Sequence, residues 1–270
     1  MKGGVQVSAI IPCWHCKETI IRAVESIFQQ SWRPAEVILV DDASMDGTLE
    51  FLKRLPTAYP DGWLKVFASQ RNGGPGAARN IGWENATQPY IAFLDADDSW
   101  HQEKTELQLK WMLAHPEIDF SGSLSERFPE NELSMPTIKA LSSLEIHVPA
   151  MLIANRLHTR SVMLKRDINL RFSENDTKNP YKAAEDFLLW LELLTSGYRG
   201  SQIAPPLAYF HNDEFGAGYS GALWPHEKRE LNALRTLASK GKIGRLCFGL
   251  ASFWSLLKFL RRAIRVRLRK

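Results

Sequence analysis

Tyr90-Ile91-Ala92-Phe93-Leu94-Asp95-Ala96-Asp97-Asp98 is an apolar run that ends in three carboxylates within four positions. A short run of this kind reads as a buried strand. Unpaired carboxylates are not tolerated inside such a strand, so Asp95, Asp97 and Asp98 must lie beyond its C-terminal end. In an open α/β sheet that edge is where ligands bind. Asp95 and Asp97 are two positions apart and point the same way in extended chain, so they can share one cation. The bland alternative is an acidic turn in which Asp98 or Ser99 caps a helix over His101–Ala114.

Upstream of this run, Val5–Ile11 reads as a strand stopped by Pro12, followed by a helix with Ile20, Val24, Ile27 and Phe28 on one face. Glu36–Val40 is a second strand, ended by Asp41-Asp42-Ala43-Ser44, and Asp46-Gly47-Thr48 turns into a helix that runs through Leu55. Leu64–Phe67 is a third strand. Asn72-Gly73-Gly74-Pro75-Gly76 is a loop before a helix over Ala77–Asn85, and Gln102–Ala114 is a helix after the fourth strand, Tyr90–Leu94. Strands alternating with helices on short connections predict an α/β fold with a doubly wound, mostly parallel sheet. Asp41 and Asp42 then share one edge with Asp95, Asp97 and Asp98. Between 118 and 180 the pattern is weaker, with strands expected at Phe120–Phe128 and Ser161–Lys165 and a helix at Ser143–Ala154. That region is expected to shape an acceptor pocket.

The chain has 270 residues, 44% hydrophobic and 24% charged, as in an ordinary globular protein. Three Cys do not make a disulfide framework, and a reducing cytosol is expected. Met1-Lys2-Gly3-Gly4 leads into a strand with no apolar leader, and no stretch reaches the length of a membrane span. The charge is uneven. Eleven of the 34 Lys/Arg and none of the 30 Asp/Glu lie from Leu231 onward, so the remaining chain holds 23 basic against 30 acidic residues. The expected division is a body over 1–240 and a basic amphipathic helix over 241–270. Leu246, Leu250, Phe253, Leu257, Leu260, Ile264 and Leu268 recur on one helical face, broadened by Trp254 and Phe259. Lys258, Arg262, Arg265 and Arg269 form another, with Arg261 beside it. Such a helix is expected to lie on an anionic membrane surface. The alternative is a helix packed on the body, its stripe hidden and its basic face solvated. Nucleic acid is not an expected partner, because no stacking groove accompanies the charge.

Five stretches carry a family resemblance. Val7-Ser8-Ala9-Ile10-Ile11-Pro12-Cys13-Trp14, Val40–Thr48, Asn72–Gly82, Phe93–Asp98 and Glu185-Asp186 with the following Phe187–Leu191 resemble, in order, the motifs of the inverting family-2 glycosyltransferases of bacterial cell-surface glycans, which have the GT-A fold. The resemblance covers roughly 1–215. It implies that Pro12 and Trp14 flank a nucleotide base and that Asp42, or Asp41 beside it, hydrogen-bonds that base. It implies that Asp95 and Asp97 hold the ribose and a divalent metal, Mg²⁺ or Mn²⁺, and that Asp186 is the general base, with Glu185 as the fallback. Arg79 is a candidate to reach the diphosphate, the alternative being an ordinary helix-surface Arg, and His211 is a candidate third metal ligand or phosphate contact, the alternative being a surface or hydrogen-bonded His. One departure is Trp14-His15, where the family usually has Tyr-Asn.

The residue types suit that chemistry. A diphosphate leaving group meets an acidic edge only if a hard cation stands between them. An acceptor hydroxyl needs a base as it attacks, and a positioned carboxylate contributes about 10²–10⁴-fold. The expected activity is transfer of a sugar from a nucleotide-sugar donor, such as a UDP-sugar, to a hydroxyl of a lipid-linked or surface-glycan acceptor. The expected place is the cytoplasm, peripheral on the inner face of the cell membrane. A nucleotidyltransferase would want a basic Gly-rich loop after the first strand, where Pro12-Cys13-Trp14-His15 stands. A non-catalytic nucleotide-sugar binding module would not need Asp186. Cys13-x-x-Cys16 has no second ligand pair for zinc, and Gly73-Gly74-Pro75-Gly76 does not fit a dinucleotide fingerprint.

Overall fold

The structure is a computed structural model that describes residues 4–128, 138, 140–174, 184–211 and 223–268. Arg269 lies outside them, as do the side chains of Arg265 and Leu268. Four parallel strands, β1 (Val5–Cys13), β2 (Pro34–Asp41), β3 (Leu64–Ala68) and β4 (Tyr90–Phe93), lie in the order β3-β2-β1-β4. They are joined through α1 (Ile20–Phe28), α2 (Thr48–Arg54) and α3 (Gly74–Asn85). The two-residue period of a strand sorts their side chains into two layers. Val7, Ala9, Ile11, Val37 and Leu39 share a core with Ile20, Val24 and Ile27 of α1. Ile10, Ile38 and Val40 share the other with Ala78 and Trp83 of α3. Both faces are covered, which is why these strands read as nearly unbroken apolar runs.

β1 does not stop at Pro12 but continues to Cys13, pairing Pro12 with Val40 of β2. Ile10 faces β4, where its carbonyl accepts the Leu94 N–H at 3.1 Å. Pro12, two residues on, faces the same side beyond the last β1–β4 pair, Ile10 with Phe93. No ladder there asks for the N–H that Pro12 lacks.

Beyond β4 the chain departs from the parallel pattern. β5 (Asp98–Trp100), α4 (Lys104–Ala114), β6 (Phe120–Arg127), β7 (Ser142–Ile146), α5 (Val148–Ile153), β8 (Met163–Lys165), α6 (Glu185–Thr195) and β9 (Gly200–Phe210) follow. The sheet runs on as β4-β8-β6-β9-β5, with β7 also on β9. β8 is antiparallel to β4 and β6, and β5 and β7 are antiparallel to β9. Asp98 and Ser99 therefore cap no helix. They are strand residues opposite Phe210 and Tyr209, and the Asp98 N–H donates back to the Asp95 carbonyl at 3.1 Å. α4 begins later than expected, at Lys104.

The C-terminal helices α7 (Leu223–Ser239) and α8 (Arg245–Leu268) are docked on the body. Leu234 and Leu237 of α7 and Ala251 of α8 belong to the same core as Ile10 and Trp190. The helix does pack on the body, but with the faces of the alternative packing exchanged: basic residues turn inward and the stripe outward. Arg262 bonds the fully buried Glu227 at 3.0 Å, Ser255 bonds it at 2.7 Å, and Lys258 lies 3.9 Å from Glu230. The apolar stripe, in contrast, faces outward. Among the described residues no helix is long and apolar enough to cross a membrane.

Gly82 of α3 packs on β1 where a Cβ would run into Ile10 Cγ2. Gly82→Ala is expected to cost about 1–3 kcal/mol. The check is a lower urea midpoint at an unchanged m-value.

Candidate active site

The parallel register brings the ends of β1, β2 and β4 to one edge. Trp14, just past β1, is 56% exposed and stacks on His15 with ring centroids 4.3 Å apart. His15 and Ala43 both occupy the left-handed region, with φ of 49° and 55°. Two side-chain-bearing residues in that region, one at each strand end, mark a loop pair that its surroundings hold tightly. The His15 N–H donates to Ser44 Oγ at 3.2 Å, and the Ser44 N–H donates to Asp41 Oδ2 at 3.0 Å.

The two aspartates after β2 have different tasks. Asp42 accepts the Gly73 N–H on Oδ1 at 2.9 Å and the Gly74 N–H on Oδ2 at 2.7 Å. It thus holds the first turn of α3, where a carboxylate is favoured by the helix dipole. Burial pushes its carboxyl up, opposed by those two N–H groups. α3 starts at Gly74 rather than Ala77 for the same reason, helped by Pro75 in its first turn. Asp41 keeps a buried oxygen, Oδ1, with no partner among the described residues. Leaving such an acceptor unmet costs about 1–3 kcal/mol. The sequence had favoured Asp42 as the free hydrogen-bonding carboxylate; the structure makes Asp41 the one with an oxygen to offer.

Arg79 is 4% exposed, so it is neither a surface residue nor a free cation for a phosphate. Its Nη2 lies 2.7 Å from Asp95 Oδ1 and its Nη1 lies 3.3 Å from Glu185 Oε1. Burial would push the Asp95 carboxyl up, but the Arg79 and Arg160 guanidiniums hold it below the usual range. Burial pushes Glu185 and Asp186 up. Asp186 accepts the Phe187 N–H at 2.6 Å on Oδ1, and on Oδ2 it meets Asn155 Nδ2 at 3.2 Å and Thr159 Oγ1 at 3.4 Å. The two acidic motifs, 90 residues apart in sequence between Asp95 and Glu185, are thus joined in one cluster.

Asp98 is buried and bonds Arg160 at 3.0 Å, and its carboxyl is pushed up to about 8, chiefly by burial. The backbone carbonyl of Asp97 accepts Arg22 Nη2 at 2.6 Å. His211 was expected beside Asp95 and Asp97 as a ligand. Its Nε2 is instead 2.8 Å from Ser99 Oγ, and its ring, just past the end of β9, stacks on Phe128, just past the end of β6. Burial, with Arg22 nearby, pushes its pKa down to about 4, so the ring is neutral at ordinary pH. Among the described residues no three His, Cys, Asp or Glu side chains are grouped to hold a metal. Asn155, Thr159, Arg160 and Arg22 were absent from the sequence reading. They sit on a short helical turn, a loop and a helix surface, where no apolar period marks them.

Comparison with known proteins bears on the family and the fold. The family described as Glycosyl transferase family 2 matches residues 8–173. The UDP-Glc:alpha-D-GlcNAc-diphosphoundecaprenol beta-1,3-glucosyltransferase WfaP of Escherichia coli is 31% identical over 195 residues, 72% of each chain. Among solved structures, S. aureus TarS 1–349 in complex with UDP-GlcNAc has a TM-score of 0.65 at 22% identity, over 87% of this chain and 66% of that one. The chain spans 43% of the longer TarS structure. The mannosyltransferase PcManGT of Pyrobaculum calidifontis, in complex with GDP-Man and Mn2+, has a TM-score of 0.68 at 18% identity, over 98% of this chain and 76% of that one. These structures share the GT-A fold.

Arg79→Gln removes the buried cation shared by Asp95 and Glu185, leaving Asp95 only the more distant influence of Arg160, and a loss of about 3–5 kcal/mol at pH 7 is expected. The pair's contribution is present above the ordinary carboxylate range and fades as pH falls through the depressed pKa of Asp95. In the variant that pKa rises and protonation relieves the repulsion. The deficit in urea unfolding should therefore shrink between pH 7 and pH 5.

Proposed function

The chain belongs to glycosyl transferase family 2 and is a sugar-transferring enzyme, and on that premise we propose that it moves a sugar from a UDP-sugar to a hydroxyl of a lipid-linked glycan, with inversion. The observation that supports this most is the Arg79 bridge. It sets the Asp95-x-Asp97 motif beside the Glu185-Asp186 pair, so a donor held by one lies next to a base supplied by the other.

For the base of the nucleotide, Trp14 offers an exposed ring face and Asp41 an unmet acceptor. An acceptor there can take a base N–H, such as the ring N–H of uracil. WfaP is named for a UDP-Glc donor, which favours uracil over thymine and guanine, the other bases with a ring N–H.

The residues present fit a divalent ion. Asp95 and Asp97 are hard oxygen donors at the sheet edge, and Mg²⁺ or Mn²⁺ is commonly held by one or two carboxylates with substrate phosphates filling the shell. A third protein ligand is not required. When bound, such an ion would neutralise charge on the leaving diphosphate. Arg79 keeps Asp95 ionised for this task. Asp186 takes the proton of the acceptor hydroxyl. Asn155 and Thr159 aim its carboxylate, and burial raises its basicity toward neutral pH. The acceptor attacks from the side opposite the diphosphate, which inverts the anomeric centre. WfaP is named for a diphosphoundecaprenol-linked acceptor, and a similar substrate here would place the enzyme peripherally at the cytoplasmic face of the cell membrane.

UDP is expected to raise the melting temperature, and Mn²⁺ to enlarge the shift. Asp97→Ala should keep only the metal-independent part; an unchanged metal effect would refute the assignment. Asp186→Asn should retain UDP binding and lose transfer by about 10²–10⁴-fold. In the wild type, kcat/KM should fall as pH drops through a carboxyl titration above the ordinary aspartate range.

A further inference from the structure

We infer that the outward stripe of α8 is a bilayer-docking surface, with the apolar side chains inserted at the headgroup–acyl boundary and arginines at its rim on anionic headgroups. The inference names the surface that a lipid-linked acceptor requires and rests on that reading for its biological sense.

Leu246, Leu250, Phe253, Leu257, Leu260 and Ile264 are each between 42% and 79% exposed. At 3.6 residues per turn they fall within an arc of roughly 80°, which Leu256 widens to roughly 120°. Arg245 and Arg261, both exposed, stand at opposite margins of that arc. The reverse face is occupied. Ala251 and Ser255 are buried against the body, and Arg262 and Lys258 answer Glu227 and Glu230. Internal pairing therefore withdraws part of the basic charge and leaves an apolar face with a cationic border. A helix of that make-up lies in a membrane interface, its apolar side sunk about 5–10 Å. Trp254 extends the surface toward α5, its Nε1 donating to the Ile153 carbonyl at 3.1 Å, and Ile153 is itself exposed.

A second copy fits this face less well. Twofold pairing of the stripe with itself brings rim arginines together, and no Asp or Glu occurs between Leu231 and Lys270 to answer them. Anionic headgroups supply the missing charge, each basic side chain near such a surface contributing about 1 kcal/mol.

The test is flotation of the full-length protein with phosphatidylcholine vesicles, with and without phosphatidylglycerol. The wild type should float with the anionic vesicles. The double variant Phe253→Ser/Leu257→Ser should lose partitioning by about tenfold or more while keeping its UDP-induced thermal shift. The double variant Arg245→Gln/Arg261→Gln should bind anionic vesicles several-fold less tightly, with a weaker dependence on salt. Folded wild type that stays with the aqueous phase overturns the inference, as does equal flotation of the serine variant. A lipid-free dimer that the serine variant dissociates overturns it too, by making the stripe a self-interface. Flotation without any UDP response would end the UDP-sugar reading and leave the docking surface standing.

Discussion

A buried guanidinium shared by two carboxylates is the contact on which the site depends. Arg79 comes from α3, Asp95 from the end of β4 and Glu185 from the start of α6. Three acids gathered in a poorly hydrated place cannot all stay ionised without a cation among them. The price of burying Arg79 is met only where both carboxylates are in place, so the three elements are positioned together or not at all. Asp95 is thereby kept charged, while Asp186, one residue beyond Glu185, is left with a raised pKa and two side-chain donors that hold its direction.

The sheet changes character at the same place. Up to β4 every strand is parallel and covered on both faces; after it the chain crosses to the far edge and pairs as β5 with β9. Asp95 to Asp97 lie in the short interval between leaving one ladder and joining another. The backbone turns there, outside any buried strand, which puts their carboxylates at the sheet edge, and the ends of β1 and β2 supply Trp14 and Asp41 on the same edge. β8, antiparallel and only three residues long, then fills the middle of the sheet and ties the second half to β4.

α8 shows how one charge pattern can serve two purposes. Its basic residues divide between ion pairs with Glu227 and Glu230 of α7 and a solvent-facing border around apolar side chains. Helical periodicity picked out the outward stripe from Leu246 to Ile264, but not which residues meet the body: Phe259, expected to broaden the stripe, packs on Trp224 of α7. Both packings satisfy the same amphipathic pattern, and the choice falls to Glu227, a buried acid for which the cation of Arg262 is the partner.

The sequence alone determined the four parallel strands, the helices between them and the edge shared by Asp41-Asp42 and Asp95-x-Asp97. Each of these follows from local period and from the rule that bare carboxylates stay out of buried strands, both of which are written in neighbouring residues. Only the tertiary structure decided that Asp42 caps α3 while Asp41 keeps an open oxygen, that Arg79 is consumed by carboxylates, and that His211 is held by Ser99 and Phe128. It likewise supplied Asn155, Thr159 and Arg160. These outcomes depend on which partner arrives across 31 to 112 residues of chain, and the pairing of a buried polar group is set by what surrounds it in space, which no local period records.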